Sequence, residues 1–200
     1  MNQIDVLNRA LFLSIDAAPG TPRWLIDGAI VMANDLIYLV PTLLVVMWLW
    51  GNDARRRLAV KAFLVAMIGL GLGQIIGLLW PHPRPFMIGL GRTWLAHAAD
   101  SSFPSDHLTV FSAAGLTLFL GGELLWALVT FVIAVCVAWA RVFLGLHFPM
   151  DMLGALGVAC LSYASLSPAW REAGDGLIRV LERFYRMLMA WPIARGFVRR

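Results

Sequence analysis

The sequence predicts an all-α, integral membrane helical bundle, with about five transmembrane helices and an N-terminal interfacial helix. Hydrophobic residues make up 60% of the 200 and charged residues 14%, with a mean hydropathy of +0.76, far from the balance of a soluble domain. Several apolar runs approach the roughly 20 residues a helix needs to cross a bilayer. Basic residues cluster beside those runs: Arg55, Arg56, Arg57 and Lys61 after the first, and Arg171, Arg179, Arg183, Arg186, Arg195, Arg199 and Arg200 at the end. Lysine and arginine gather on the cytoplasmic flank of spanning helices, so both clusters are expected there. The net charge of +4 therefore describes topology, and with no nucleic-acid motif beside it no nucleic-acid partner is expected.

Residues 1–17 place Ile4, Leu7, Leu11 and Ile15 on one helical face, with Asp5, Arg9 and Asp16 elsewhere, as in a helix lying in the interface. No basic region followed by a cleavable apolar core is present, so no signal peptide is expected. Pro19 and Pro22 precede a first span, about Leu25 to Trp50, which carries Asn34 and Asp35 and ends on Trp48 and Trp50 as an aromatic anchor. A second span runs from about Leu58 to Trp80. Its Gly69, Gly73 and Gly77 admit a close neighbour, from this chain or from a second copy, which leaves the oligomeric state open.

A polar loop over 81–104 holds His82, Arg84, Arg92, His97 and Asp100. Three short spans follow, about Ser105 to Gly121-Gly122, Glu123 to Ala140 and Pro149 to Leu166, each of about 18 residues or roughly 27 Å. Counting crossings from the Arg55 cluster brings loops 81–104 and 141–148 to one face, opposite the cytoplasm. The expected division is a membrane-embedded domain over 1–168 and a basic cytoplasmic tail over 169–200. Cys136 and Cys160 lie inside apolar runs as small fillers, with no disulfide or metal site inferred.

Three clusters converge on that face: Arg84-Pro85-Phe86, Pro104-Ser105-Asp106-His107, and Arg141 with His147 and Asp151. Ionisable side chains at membrane depth are costly, so a function is their default explanation. Arg84 and Arg141 are either interfacial anchors that snorkel to headgroups or, together, a forked clamp for phosphate oxygens. Ser105 and Asp106 suit ordinary helix capping, which does not account for His107. The helix start that they form offers free N–H groups to an anion, and His107 beside it is placed to hand over a proton. Asp151, in the first turn after Pro149, can reach back to orient His147 as a nucleophile, or can simply favour the helix N-terminus. Neither a His-x-x-x-His spacing nor a dense carboxylate cluster occurs, so no metal is expected. His82 and His97 lack a partner at a telling spacing and are assigned to the loop. Arg92 is a secondary candidate for a second phosphate or a headgroup.

These clusters resemble the signature of the type 2 phosphatidic acid phosphatase superfamily, Lys-x6-Arg-Pro, Pro-Ser-Gly-His and Ser-Arg-x5-His-x3-Asp. Gly77 stands in place of the lysine, Asp106 in place of the glycine and Ala140 in place of the serine. Gln74, one turn before Gly77, is a neutral stand-in at most, and Asp106 adds negative charge beside the anion site. Within the superfamily, HPRPF, FPSDH and ARVFLGLHFPMD are most similar to bacterial undecaprenyl-diphosphate phosphatases of the bacitracin-resistance type, over nearly the whole chain. The resemblance implies hydrolysis of a polyprenyl diphosphate lipid on the periplasmic face of the bacterial inner membrane, recycling a cell-wall lipid carrier. It implies that His147 attacks the terminal phosphorus to give a phosphohistidine, that Asp151 orients it and that His107 protonates the leaving lipid phosphate. Arg84, Arg141, Ser105 and backbone N–H groups then stabilise the transferring group, without metal or cofactor. Other lipid phosphates, phosphoryl transfer to another lipid, and a non-catalytic headgroup-binding transporter stay open alternatives.

Overall fold

The computed structural model describes residues 3–199; Met1 and Asn2 of the expected interfacial segment and Arg200 of the basic tail lie outside the described residues. Among the described residues there are helices and no strands: α1 Gln3–Ile15, α2 Arg23–Asn34, α3 Leu39–Trp50, α4 Asp53–Leu79, α5 Asp106–Leu120, α6 Leu124–Phe143, α7 Pro149–Leu188 and α8 Ala190–Ala194. Two 3₁₀ turns, Leu36–Tyr38 and Pro85–Ile88, complete the order.

Among the described residues four stretches are long and apolar enough to cross a membrane: Arg23–Trp50, which joins α2 to α3, and α4, α6 and α7. Helix α5 has 15 residues, about 22 Å, yet it runs the length of the bundle. At its start Asp106 and Pro104 face Gly73, late in α4. Just beyond its end, Glu123 accepts from Arg55 Nε, in the first turn of α4, at 2.6 Å. The chain is thus a multi-pass membrane protein, all-helical among the described residues, with four candidate spans and the shorter apolar helix α5 packed along them. One end of the bundle carries the Arg55–Arg57 cluster, and the other carries Arg84, His107 and His147.

Three boundaries differ from expectation. The first span is broken at Asp35, between α2 and the 3₁₀ turn. Pro41 explains the break, since it has no N–H for the Ile37 carbonyl and its ring crowds the preceding turn. Arg141 belongs to the last turn of α6 rather than to the loop, because no residue stops the helix before Gly145, whose φ is +78°. The helix that carries the fifth span does not end at Leu166. Helix α7 continues through Pro168 for 40 residues, about 60 Å, so position 168 falls within a helix. Trp170, Gly174, Ile178 and Tyr185 form its buried stripe beyond the apolar half.

Helices α4 to α7 pack around Phe111, Leu118, Val137 and Ala155. The glycine ladder of α4 serves contacts within this chain. A Cβ at Gly69 would stand 2.8 Å from Thr109 Cγ2, and one at Gly77 would stand 3.2 Å from Ser101 Cβ. Helix α1 seats on the end opposite the arginine cluster: buried Phe12 meets Phe148 edge-on at 5.4 Å, and Asn8 Oδ1 accepts from Met150 N at 3.0 Å. Ile4, Leu7 and Leu11 are left exposed, an apolar face turned away from the bundle.

Candidate active site

Each helix terminus at this end delivers one piece of a polar cup. Pro149 takes the first turn of α7 without losing a bond, and Asp151 behind it turns back. Asp151 Oδ2 accepts from Phe148 N at 2.8 Å, from the Ser102 hydroxyl, and from His147 Nδ1 at 3.2 Å. His147 Nδ1–H also donates to the Ser102 carbonyl at 2.9 Å. With the Nδ1 proton so engaged, Nε2 is left with its lone pair facing the cup. Burial first, then the charges of Arg141, Arg84 and His97, hold His147 well below the usual histidine range, against the Ser102 carbonyl, which favours the proton. It is therefore neutral at pH 7, the form that can attack phosphorus.

Two guanidiniums converge on that nitrogen. Arg84 Nη1 lies 3.0 Å and Arg141 Nη2 3.3 Å from His147 Nε2. Arg84 is carried on the turn after α4 and anchored by the Leu146 carbonyl at 3.0 Å and by Asp100 Oδ1 at 2.8 Å. Arg141 is anchored by the Ala33 carbonyl at 3.3 Å, in the last turn of α2. Its other partners are imidazoles, His107 Nε2 at 3.4 Å and His97 Nε2 at 3.1 Å. Arg141 Nε is buried with no partner, and so is Ser105 Oγ. Ser105 holds the N-cap position of α5, yet its hydroxyl makes no capping bond. Ordinary capping therefore does not explain this serine. Orphaned donors beside two cations, at the open N–H groups of a helix start, make a site for a tetrahedral oxyanion.

The six principal residues predicted from sequence, Arg84, Ser105, His107, Arg141, His147 and Asp151, are brought together. Asp106 lies at the rim, where Gln74 Nε2 donates to its Oδ2 at 3.3 Å, and both line a cavity of about 150 Å³ with Gly77 and Arg84. Arg92 does not join the cup: its guanidinium lies 5.1 Å over the Trp94 ring and its backbone N–H donates to Asp16 at 2.8 Å. Sequence reasoning missed Ser102 and assigned His97 to the loop. Its one visible signal was proximity, because HAADSS runs directly into FPSDH. His97 is pulled below its usual range by burial first, with Arg84 and Arg141 adding and the Ala98 carbonyl and Asp100 opposing. Burial raises Asp100, but the hydrogen bond and charge of Arg84 outweigh it and hold the carboxyl below its usual value. Among the described residues no group of three or more His, Cys, Asp or Glu side chains is arranged to hold a metal ion.

A membrane bundle whose one end sets paired arginines and a carboxylate-steered histidine around an anion pocket defines a class, that of membrane-embedded phosphate-handling proteins. Residues 58–173 match the family model described as the PAP2 superfamily, and the chain belongs to that superfamily. Among its relatives is a protein of Escherichia coli (strain K12) named as a candidate undecaprenyl-diphosphatase, YbjG, 43% identical over 98% of this chain and 99% of the relative. Another is the undecaprenyl-diphosphatase BcrC of Bacillus subtilis (strain 168), 33% identical over 78% of this chain and 81% of the relative. The crystal structure of a transmembrane PAP2-type phosphatidylglycerolphosphate phosphatase from Bacillus subtilis superposes with a TM-score of 0.62 at 20% identity, covering 86% of this chain and 88% of that one. That likeness extends to the fold.

Proposed function

We propose that this chain hydrolyses undecaprenyl diphosphate to undecaprenyl phosphate and inorganic phosphate, the activity named for the relatives above. The observation that carries the reading is His147 Nε2, unprotonated and facing two guanidiniums within 3.3 Å whose hydrogen bonds an incoming phosphate can take over. His147 Nε2 attacks the terminal phosphorus, and the bond from that phosphorus to the bridging oxygen breaks. His107 supplies a proton to the departing lipid phosphate. Water then attacks the phosphohistidine, His107 takes its proton, and inorganic phosphate leaves. Asp151 stabilises the positive imidazole that forms, while Arg84, Arg141, Ser105 and the α5 N–H groups hold the charge of the transferring phosphoryl group. The chemistry needs no metal or other cofactor, since fixed cations surround the phosphorus.

An apolar groove of about 650 Å³ on the flank of the bundle, lined by Tyr38, Leu44, Trp48, Phe63 and Leu181 and by no residue of the cup, is open to lipid chains. Its walls suit a polyprenyl chain. The arginine-rich end and the 169–200 stretch face the cytoplasm by the positive-inside rule, and the cup faces the periplasm of a bacterial inner membrane. The test is phosphate release by purified protein across a panel of lipid phosphates with EDTA present throughout. Preference for the polyprenyl diphosphate, lost in His147→Ala, is expected. Equal turnover of phosphatidic acid would replace the substrate, inhibition by EDTA the metal-free scheme, and full activity of His147→Ala the nucleophile.

A further inference from the structure

The geometry points to His97 as the contact for the second phosphate, a rim imidazole that separates lipid diphosphates from lipid monophosphates. It rests on the reading of the cup as a phosphohydrolase site. The cup is graded in depth: His147, Arg84, Arg141 and Ser105 are all buried, His147 to 1% exposure, whereas the His97 side chain is 23% exposed. A phosphorus that reaches His147 is the terminal one, at the floor. The lipid must leave through the opening, so the next phosphate lies at the level of the rim.

The rim offers that phosphate few friendly groups. Asp100 and Asp106 are carboxylates, Gln74 is spent on Asp106, and Arg92 is turned away over Trp94. His97 differs from these. Its Nδ1 is turned to the Ala98 carbonyl at 3.1 Å and its Nε2 faces inward, 3.1 Å from Arg141 Nη2. That same Nη2 reaches His147 Nε2, so one guanidinium nitrogen separates His97 from the nucleophile. An anion that binds Arg141 displaces the Arg141–His97 bond and offsets the arginine charges that disfavour a proton on His97. Nε2 then takes a proton from water and donates it as a hydrogen bond to an oxygen of the second phosphate. A monophosphate at the floor frees His97 in the same way but brings no second phosphate for its Nε2 to bond.

The test compares two ligands on inert protein. Farnesyl diphosphate and farnesyl monophosphate are titrated onto purified His147→Ala protein, with and without His97→Ala. Losing a charge-assisted hydrogen bond weakens diphosphate binding by about tenfold or more, while monophosphate binding stays within about twofold, the scatter of a neutral surface change. Equal loss for both ligands, or no loss for either, overturns the assignment. His97→Gln keeps a donor at similar reach, and partial recovery of diphosphate preference is expected. If the His97→Ala protein does not fold, the glutamine variant decides alone: weaker diphosphate binding with monophosphate binding kept supports the contact, and equal loss or no loss for both ligands overturns it. Wild-type turnover of farnesyl diphosphate runs in parallel. Its absence would overturn the phosphohydrolase reading and this inference with it, whereas the ligand comparison overturns His97 alone.

Discussion

Arginines are buried at both ends of the bundle, and the two ends use them differently. At the end that carries the Arg55–Arg57 cluster, Arg56 is 1% exposed and its donors are spent on protein: Nε on the Trp48 carbonyl at 3.0 Å and Nη2 on the Arg199 carbonyl at 2.8 Å. Glu182 lies 3.8 Å away, and the Tyr185 ring stacks beneath at 4.9 Å. Arg57 pairs with Asp175, and Tyr185 Oη donates to the Arg199 carbonyl. At the other end, Arg141 keeps an unpaired Nε and leans on imidazole lone pairs, which an incoming phosphate oxygen readily replaces. A guanidinium whose partners are all carbonyls, carboxylates and rings of the protein is part of the scaffold. Arg84 and Arg141 are also anchored on carbonyls, but each turns a nitrogen to the His147 lone pair and Arg141 keeps a donor to spare, so this pair is kept for a ligand.

That contrast is broken most directly by His147→Ala. Phosphate release should fall by about 10⁴-fold or more, with the thermal midpoint in detergent almost unchanged; residual activity near wild type would place the nucleophile elsewhere. Arg56→Ala should do the reverse. Uncovering Glu182 and two carbonyls costs about 3 kcal/mol of stability, measured by thermal unfolding, while kcat at a permissive temperature stays near wild type. Next comes Ser102→Ala, which removes a hydrogen bond to Asp151 and loosens the His147 ring. A drop in kcat of about 10 to 100-fold with little change in KM is expected, and Ser102→Thr should recover part of it.

Orthophosphate sharpens the comparison further. It should raise the thermal midpoint of the wild type, with an increase that grows with concentration, and the gain should vanish in Arg141→Ala but persist in Lys61→Ala. Lys61 is buried over the Tyr163 ring at 3.9 Å, away from the cup. The smallest effect is on acid stability. His147 and His97 have folded values below the usual range, so the unfolded chain takes up protons first as pH falls below about 6.5. Stability should thus be complete above that value and decline toward pH 5. His147→Gln should flatten the decline, and a midpoint that rises on acidification would contradict the assignment.

The spans were legible because apolar runs and their charged flanks follow from the bilayer itself. The principal cup residues were legible because they stand at helix termini, where Pro85, Ser105 and Pro149 mark the chain. His97, Asp100 and Ser102 were not, since they occupy a loop without periodicity and owe their positions to contacts such as Ser102 N to the His82 carbonyl at 2.8 Å. Arg56 was visible as a topological charge, but its burial depends on Glu182 and Arg199, which lie more than a hundred residues further along. The length of α7 was missed for a similar reason. Its polar second half is helical because Trp170, Ile178 and Tyr185 find cover, and hydropathy alone marks an end at the bilayer edge.

The tight seating of Gly77 against Ser101 limits where the site can carry its positive charge. The superfamily pattern carries lysine at that position, and here Ser101 is pinned from two directions, accepting from His82 N at 3.2 Å and donating to the Phe103 carbonyl at 3.3 Å. A larger side chain at position 77 would require the Ser101 segment to give by a few tenths of an ångström. Position 77 is thus closed to a long cationic side chain as the loop now sits, and the positive charge around the bound anion falls to Arg84 and Arg141.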